Sequence, residues 1–307
     1  MIKKIVFNIA VVFLAVFVLD FVIGGTLRNF YFRETSGSFF RGTYSMEITK
    51  ADILVFGAST AVSNYVPEVF ENSLGVTFYN TGQNGLGIFF QLATLKSVLK
   101  RYTPKLIILS CGESFSKDKE SYDKLAYLLP YYSKHKEIRK IVELKSPFER
   151  IKLISEIYPF NSQIFTILVR SIEIAKINDS SKKGYDASYK RWAHKIDTVN
   201  TYTTYAEDQN KVMALREFIT QAKESGANIF VVYPPVFQKF NMRQEIEIYN
   251  RICLIEKVPF WDFSRDTSFS NNKSLFADVD HLNHNGAMLF SGLVAAKIKQ
   301  AINKDGP

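Results

Sequence analysis

Serine, histidine and aspartate suffice for nucleophilic catalysis when they meet, and this chain carries one set whose placement suggests it. Ser59 stands in Gly57-Ala58-Ser59-Thr60, just after the short apolar run Ile53 to Phe56. A serine hydroxyl is a weak nucleophile until a base takes its proton, and the base needs a third group to fix its tautomer. The sequence has four histidines, His135, His194, His281 and His284. His281 stands out because Asp278 lies three residues before it, where a carboxylate can reach the imidazole of the same turn. Ser59, His281 and Asp278 are therefore the candidate nucleophile, general base and orienting acid.

Each part also has a plainer reading. Gly-x-Ser after a strand is commonly a turn with a helix-capping serine, and Asp278 could simply cap the last helix. Asp280 is a second, less well placed partner for His281. His281 and His284 could ligate a metal, but no third ligand has matching spacing. Neither a metal nor a cofactor is expected.

The elements that must position these residues follow an α/β pattern. The spacing predicts strands at Ile53 to Phe56, Val76 to Tyr79, Lys105 to Cys111, Asn228 to Tyr233 and Val258 to Phe263. Val62, Val66, Val69 and Phe70 recur on one helical face after Ser59. Further helices are expected at Leu86 to Arg101, before the fourth strand with Gly226 as C-cap, before the fifth strand, and from Gly286 to Ile302. Strands separated by helices imply a parallel sheet covered on both faces, a three-layer α/β/α fold with five strands. Ser59 then emerges at the carboxyl edge of that sheet, where open α/β folds place their chemistry. Residues from about 115 to 205 break the pattern and hold nine of the sixteen tyrosines. They read as a helical insertion over that edge, whose tyrosines either stack on sugar rings or pack an aromatic core.

At 47% hydrophobic and 22% charged, the 307-residue chain reads as globular with one special end. Ile5 to Ile23 is nearly all apolar, and its nineteen residues can cross a bilayer core as one helix. Lys3 and Lys4 favour a cytoplasmic N-terminus, although Arg28, Arg33 and Arg41 follow the run. A cleaved signal peptide is the competing reading, opposed by the length of the run and the lack of a small-x-small site. The expected division is an anchor at 1–25, a juxtamembrane spacer at 26–50 and a catalytic domain at 51–307. The net charge of +9 is spread without a dense block, which suits an anionic membrane surface or an acidic polymer and argues against nucleic acid. Cys111 and Cys253 read as buried core thiols.

With its motifs in this order, the chain resembles the SGNH (GDSL-like) hydrolase and acyltransferase superfamily, in its membrane-anchored extracytoplasmic form. Gly57-Ala58-Ser59-Thr60 matches the first block, Gly82 in Asn80-Thr81-Gly82-Gln83-Asn84-Gly85 the second, and Asp278-Val279-Asp280-His281 the fifth. The likeness covers roughly residues 50–112 and 206–303. It implies a flavodoxin-like fold and an oxyanion hole built from the backbone amides of Ser59 and Gly82. The third block departs from the pattern: Gly112-Glu113-Ser114 stands where the family has an asparagine donor. An ionised Glu113 would repel an oxyanion, and Asn84 and Ser114 are the candidate side-chain replacements. By the resemblance, the chain would face outward on a bacterial cell membrane as a single-pass protein. It would take an acyl group from a donor brought by a multispanning membrane acyltransferase and pass it to a polysaccharide acceptor. An extracytoplasmic carbohydrate or lipid esterase, and a non-catalytic polysaccharide- or partner-binding protein, are the other expectations.

Overall fold

The apolar N-terminal run has no proline to stop it, and in the computed structural model it continues as helix past residue 25. Residues 1–172, 182–192, 204–237, 244–270 and 272–304 are described; His194 and Tyr202 lie outside them. Helix α1 spans Ile2–Phe32 and is long and apolar enough to cross a membrane, with its apolar stretch wholly exposed. The segment expected as a spacer is itself largely helical: α1 ends in it, α2 is Gly37–Thr43, and a π-turn follows at Tyr44–Ile48.

Strand β1, Ile53–Phe56, is fully buried, as its unbroken apolar run requires. One helix was expected after it, but two form, α3 at Ser59–Asn64 and α4 at Pro67–Leu74. Pro67 is the cause: it disfavours helix at Val66, which is extended, and then starts α4 at a position where its missing N–H costs nothing. Gly75, in the left-handed region at φ 69°, closes α4. There follow β2 (Phe78–Asn80), α5 (Ile88–Leu99) and β3 (Leu106–Ser110). Short helices α6 (Lys119–Asp123), α7 (Arg139–Glu143), α8 (Glu149–Lys152) and α9 (Ile164–Ile172) come next. The alternating pattern then resumes with α10 (Gln209–Glu224), β4 (Asn228–Tyr233), α11 (Gln244–Glu256), β5 (Phe260–Asp262), α12 (Thr267–Ser270) and α13 (His284–Lys304). The second, third and fifth strands are shorter or shifted relative to expectation.

All five strands are parallel, in the order β2-β1-β3-β4-β5. Ile53 lies opposite both Phe78 and Leu106, so β1 sits between its two successors. The chain thus moves outward in opposite directions from β1 and β3, and a crevice opens at their carboxyl ends. Ile53, Val55, Ile108 and Val232 pack with Tyr65, Phe70, Phe290 and Ile298 from α4, α13 and the α3–α4 link. Phe56, of opposite parity, meets Phe218 of α10 edge-on at 5.2 Å.

The chain forms two units, residues 1–40 with 119–178 and residues 41–118 with 179–307. The expected 115–205 insertion is therefore divided, since residues 182–192 belong with the sheet. There the Lys183 carbonyl accepts from Asn80 N–H and the Val62 carbonyl from Asp186 N–H. In the first unit Tyr31 stacks on Phe39 at 4.6 Å and meets the rings of Phe160 and Tyr131. Part of the tyrosine richness is thus aromatic core, while Tyr189 of the second unit is 77% exposed.

Candidate active site

Gly57 turns the chain sharply out of β1. Its φ of +150° suits glycine, and a Cβ there would lie 2.7 Å from the Ser110 carbonyl oxygen. Both sides of the Gly57 peptide are held by one buried side chain. Gln91 Oε1 accepts from Gly57 N–H (3.1 Å), and Gln91 Nε2 donates to the Gly57 carbonyl (2.9 Å) and to that of Leu86 (3.1 Å). Ala58 then serves as N-cap and Ser59 is the first residue of α3.

The base comes from the other end of the chain. Phe276 and Leu282 form an antiparallel bridge, and Ala277 N–H donates to the His281 carbonyl, so residues 277–281 make a tight loop. Within it Asp278 Oδ1 accepts from the backbone N–H groups of Asp280 (3.0 Å) and His281 (2.9 Å). The same carboxylate lies 2.8 and 3.0 Å from His281 Nδ1. On the far side of the ring, His281 Nε2 is 2.7 Å from Ser59 Oγ. With the Nδ1 proton directed at Asp278, Nε2 is free to accept the serine proton. The structure thus brings Ser59, His281 and Asp278 together across 222 residues of sequence. Asp280 shares the loop but meets Asp278 through its backbone amide. His284 turns to a different partner: its Nδ1 lies 3.0 Å from the Tyr185 hydroxyl.

The expected oxyanion donors fare differently. Gly82 N–H does not stand free, because it donates to Asn80 Oδ1 at 2.9 Å. Asn80 is buried and its Nδ2 donates to the Ala61 carbonyl, so β2 is tied to α3 through this side chain. The Ser114 hydroxyl pairs with Ser116 at 3.0 Å. Asn84 is exposed on a turn. Ser59 N–H keeps the position expected of it, in the first turn of a helix, where amides have no carbonyl within the helix to pair with.

Glu113, which stands where the family pattern has an asparagine, has partners of its own. Its carboxylate accepts from Ile88 N–H at the start of α5, and Lys211 Nζ stands 3.8 Å away. Lys211 is itself buried, donating to Asp118 (2.7 Å) and to the Ser114 carbonyl (3.1 Å). The negative charge is therefore partly offset by a lysine and a helix N-terminus. Glu113, Ser59, Gly87 and Tyr249 help line a small cavity of about 60 Å³ between the ends of β1 and β3. Cys111 lines it too, and burial pushes its thiol well above the usual range, so it is not a thiolate nucleophile.

Three residues of this site escaped sequence reasoning: Gln91, Asn80 and Asn64. Asn64, the last residue of α3, is fully buried. Its Oδ1 accepts from Leu282 N–H at 3.2 Å, and its backbone carbonyl accepts from Ser291 Oγ of α13. It thus joins the serine helix to the histidine loop. The one available signal was a polar residue falling on an otherwise apolar helical face. No family model matches the chain, and no curated protein matches it.

Proposed function

We propose that the chain is a membrane-anchored serine acyl-ester enzyme of the SGNH type, acting outside a bacterial cytoplasmic membrane and transferring an acyl group to a polysaccharide hydroxyl. The observation that carries this reading is the 2.7 Å approach of Ser59 Oγ to His281 Nε2, with Asp278 on the opposite ring nitrogen. The strand order β2-β1-β3-β4-β5 supports the flavodoxin-like, three-layer arrangement that goes with it. In that arrangement α3, α4 and α13 make one outer layer and α5, α10 and α11 the other.

In this reaction Ser59 Oγ attacks the carbonyl carbon of a donor ester while its proton passes to His281 Nε2. Asp278 stabilises the imidazolium and holds its orientation. The tetrahedral intermediate collapses, the C–O bond to the donor alcohol breaks, and that alcohol leaves with the proton from His281. An acceptor hydroxyl then attacks the acyl-serine and gives its proton to His281; the acyl–Oγ bond breaks, His281 returns the proton to Ser59 Oγ, and the new ester leaves. The oxyanion falls to Ser59 N–H, with the Gly82 amide committed to Asn80. Loss of one donor costs on the order of 100-fold or more, so a slow enzyme is expected. The long apolar helix α1 favours transfer at a membrane over free hydrolysis, with Lys3 and Lys4 on the cytoplasmic side.

The test is to treat the full chain in detergent with a fluorophosphonate probe and locate the adduct by mass spectrometry. The adduct is expected on Ser59, absent in Ser59→Ala and His281→Ala, and reduced to a small remainder in Asp278→Asn. An adduct elsewhere, or wild-type turnover in Ser59→Ala, would overturn the assignment.

A further inference from the structure

We infer that residues 144–154 form a rigid knuckle that inserts into the headgroup–acyl boundary of the bilayer beside α1. This rests on the anchoring part of the proposal above and is independent of its chemistry. Four large apolar side chains lie within eleven residues and face solvent: Leu144 is 37% exposed, Phe148 61%, Ile151 66% and Ile154 72%. They are not on a loose loop. The Glu149 carboxylate, buried beneath them, accepts from Ser146 Oγ (2.7 Å), Lys152 Nζ (2.9 Å) and the Tyr158 hydroxyl (2.8 Å). A folded segment that holds its apolar side chains outward needs a partner for them.

The chain itself sets the depth at which they sit. Asp20 accepts from Ser155 Oγ at 2.5 Å and from Glu156 N–H at 2.7 Å. Arg28 pairs with Glu156 at 2.6 Å. At Gly24 a Cβ would lie 2.4 Å from the Glu156 carbonyl carbon, so helix and loop touch backbone to backbone. Ile154 is therefore fixed one residue from the level of Asp20. From Ile5 to Ile23 α1 rises about 28 Å at 1.5 Å per residue, close to the thickness of a bilayer core. Asp20 is the one acidic residue of that stretch and lies in its last turn, near the end of the core. The knuckle is thus level with the membrane boundary, continuous with the span.

Charge agrees. Residues 134–152 carry seven lysines and arginines against three glutamates, the balance that favours an anionic lipid surface. By contrast, the exposed Phe165 and Leu168 belong to α9. The end of that helix is held by Arg170 at the Ser36 carbonyl and over the Phe39 ring.

The experiment uses the full chain in vesicles of phosphatidylcholine and phosphatidylglycerol, with an environment-sensitive fluorophore on Ile151→Cys. Lys119→Cys, whose side chain is 90% exposed, is the aqueous control, and Phe13→Cys reports the span. Cys111 and Cys253 are buried, and the parent chain serves as their labelling control. Expected for Ile151→Cys is a blue-shifted emission, quenching by lipid-borne nitroxide and protection from iodide, with Lys119→Cys showing the reverse. Iodide access at Ile151→Cys equal to that at Lys119→Cys, while Phe13→Cys is lipid-quenched, would overturn the knuckle and leave the anchor standing. Protection from both quenchers would mean protein covers this face, and would also overturn it.

Discussion

Asn64 offers the sharpest test of how this site is assembled, because it contributes no chemistry. Consider Asn64→Leu, which keeps the branching at Cγ in a larger side chain and removes the acceptor. Leu282 N–H then loses the Oδ1 it meets at 3.2 Å in a fully buried position. An unsatisfied buried donor costs about 1–3 kcal/mol. For a domain of some 200 residues that lowers Tm by roughly 2–12 °C. The catalytic effect should be larger than the stability effect. Leu282 adjoins His281, and a displacement of about 1 Å between reacting groups can cost on the order of 100-fold. Asn64→Asp retains an acceptor for Leu282 and should keep more of the labelling rate than Asn64→Leu. The assay is the rate of Ser59 modification by the fluorophosphonate, read beside thermal unfolding. If Asn64→Leu melts several degrees lower yet labels Ser59 at the wild-type rate, the tether does not register the histidine, and the loop's own Asp278 network suffices.

Gln91→Leu should lower stability by about 1–3 kcal/mol in urea, since Gly57 N–H loses its buried partner; labelling of Ser59 should slow with it, and an unchanged rate would show that the Gly57 turn holds itself. A pH dependence is expected in the knuckle. Burial pushes the Glu149 carboxyl up, but hydrogen bonds from Lys152, Ser146 and Tyr158 outweigh this and hold it below the usual carboxylate range. A depressed carboxyl stabilises the fold above its ordinary pKa and loses that contribution as pH falls through its folded value. Amide exchange protection of residues 144–154 should therefore drop below about pH 4, and Glu149→Gln should abolish the dependence; protection constant down to pH 3 in the parent chain would refute it.

The grouping of Ser59, His281 and Asp278 was legible in the sequence because its information is local. A glycine after an apolar run places the serine, and Asp278 and His281 share one turn. Buried strands declare themselves through unbroken runs such as Ile53 to Phe56. The residues that bring the two ends together were not legible. Gln91 and Asn64 lie in helices, where a polar side chain normally faces water, and only the burial of α5 and the packing of α13 against α3 enclose them. The single helix expected after Ser59 failed because apolar period outweighed Pro67, whose ring constrains Val66 regardless of that period. The lysine that partly offsets Glu113 was out of reach for a related reason: it stands ninety-eight positions later in the chain. The tyrosine-rich stretch could not be divided by composition, since one tyrosine packs a core and another lies open with no difference in local sequence.

The serine and its base lie 222 residues apart, and the base sits on the loop just before the last helix. During synthesis, then, the proposed nucleophile is made early and meets its base last. A nascent chain stalled or clipped anywhere before His281 carries a serine with no base, and one that ends before α13 lacks the Ser291 contact that braces the serine helix. If the proposed chemistry holds, incomplete copies are inert by construction, and reactivity doubles as a certificate that the whole second unit has been made and closed.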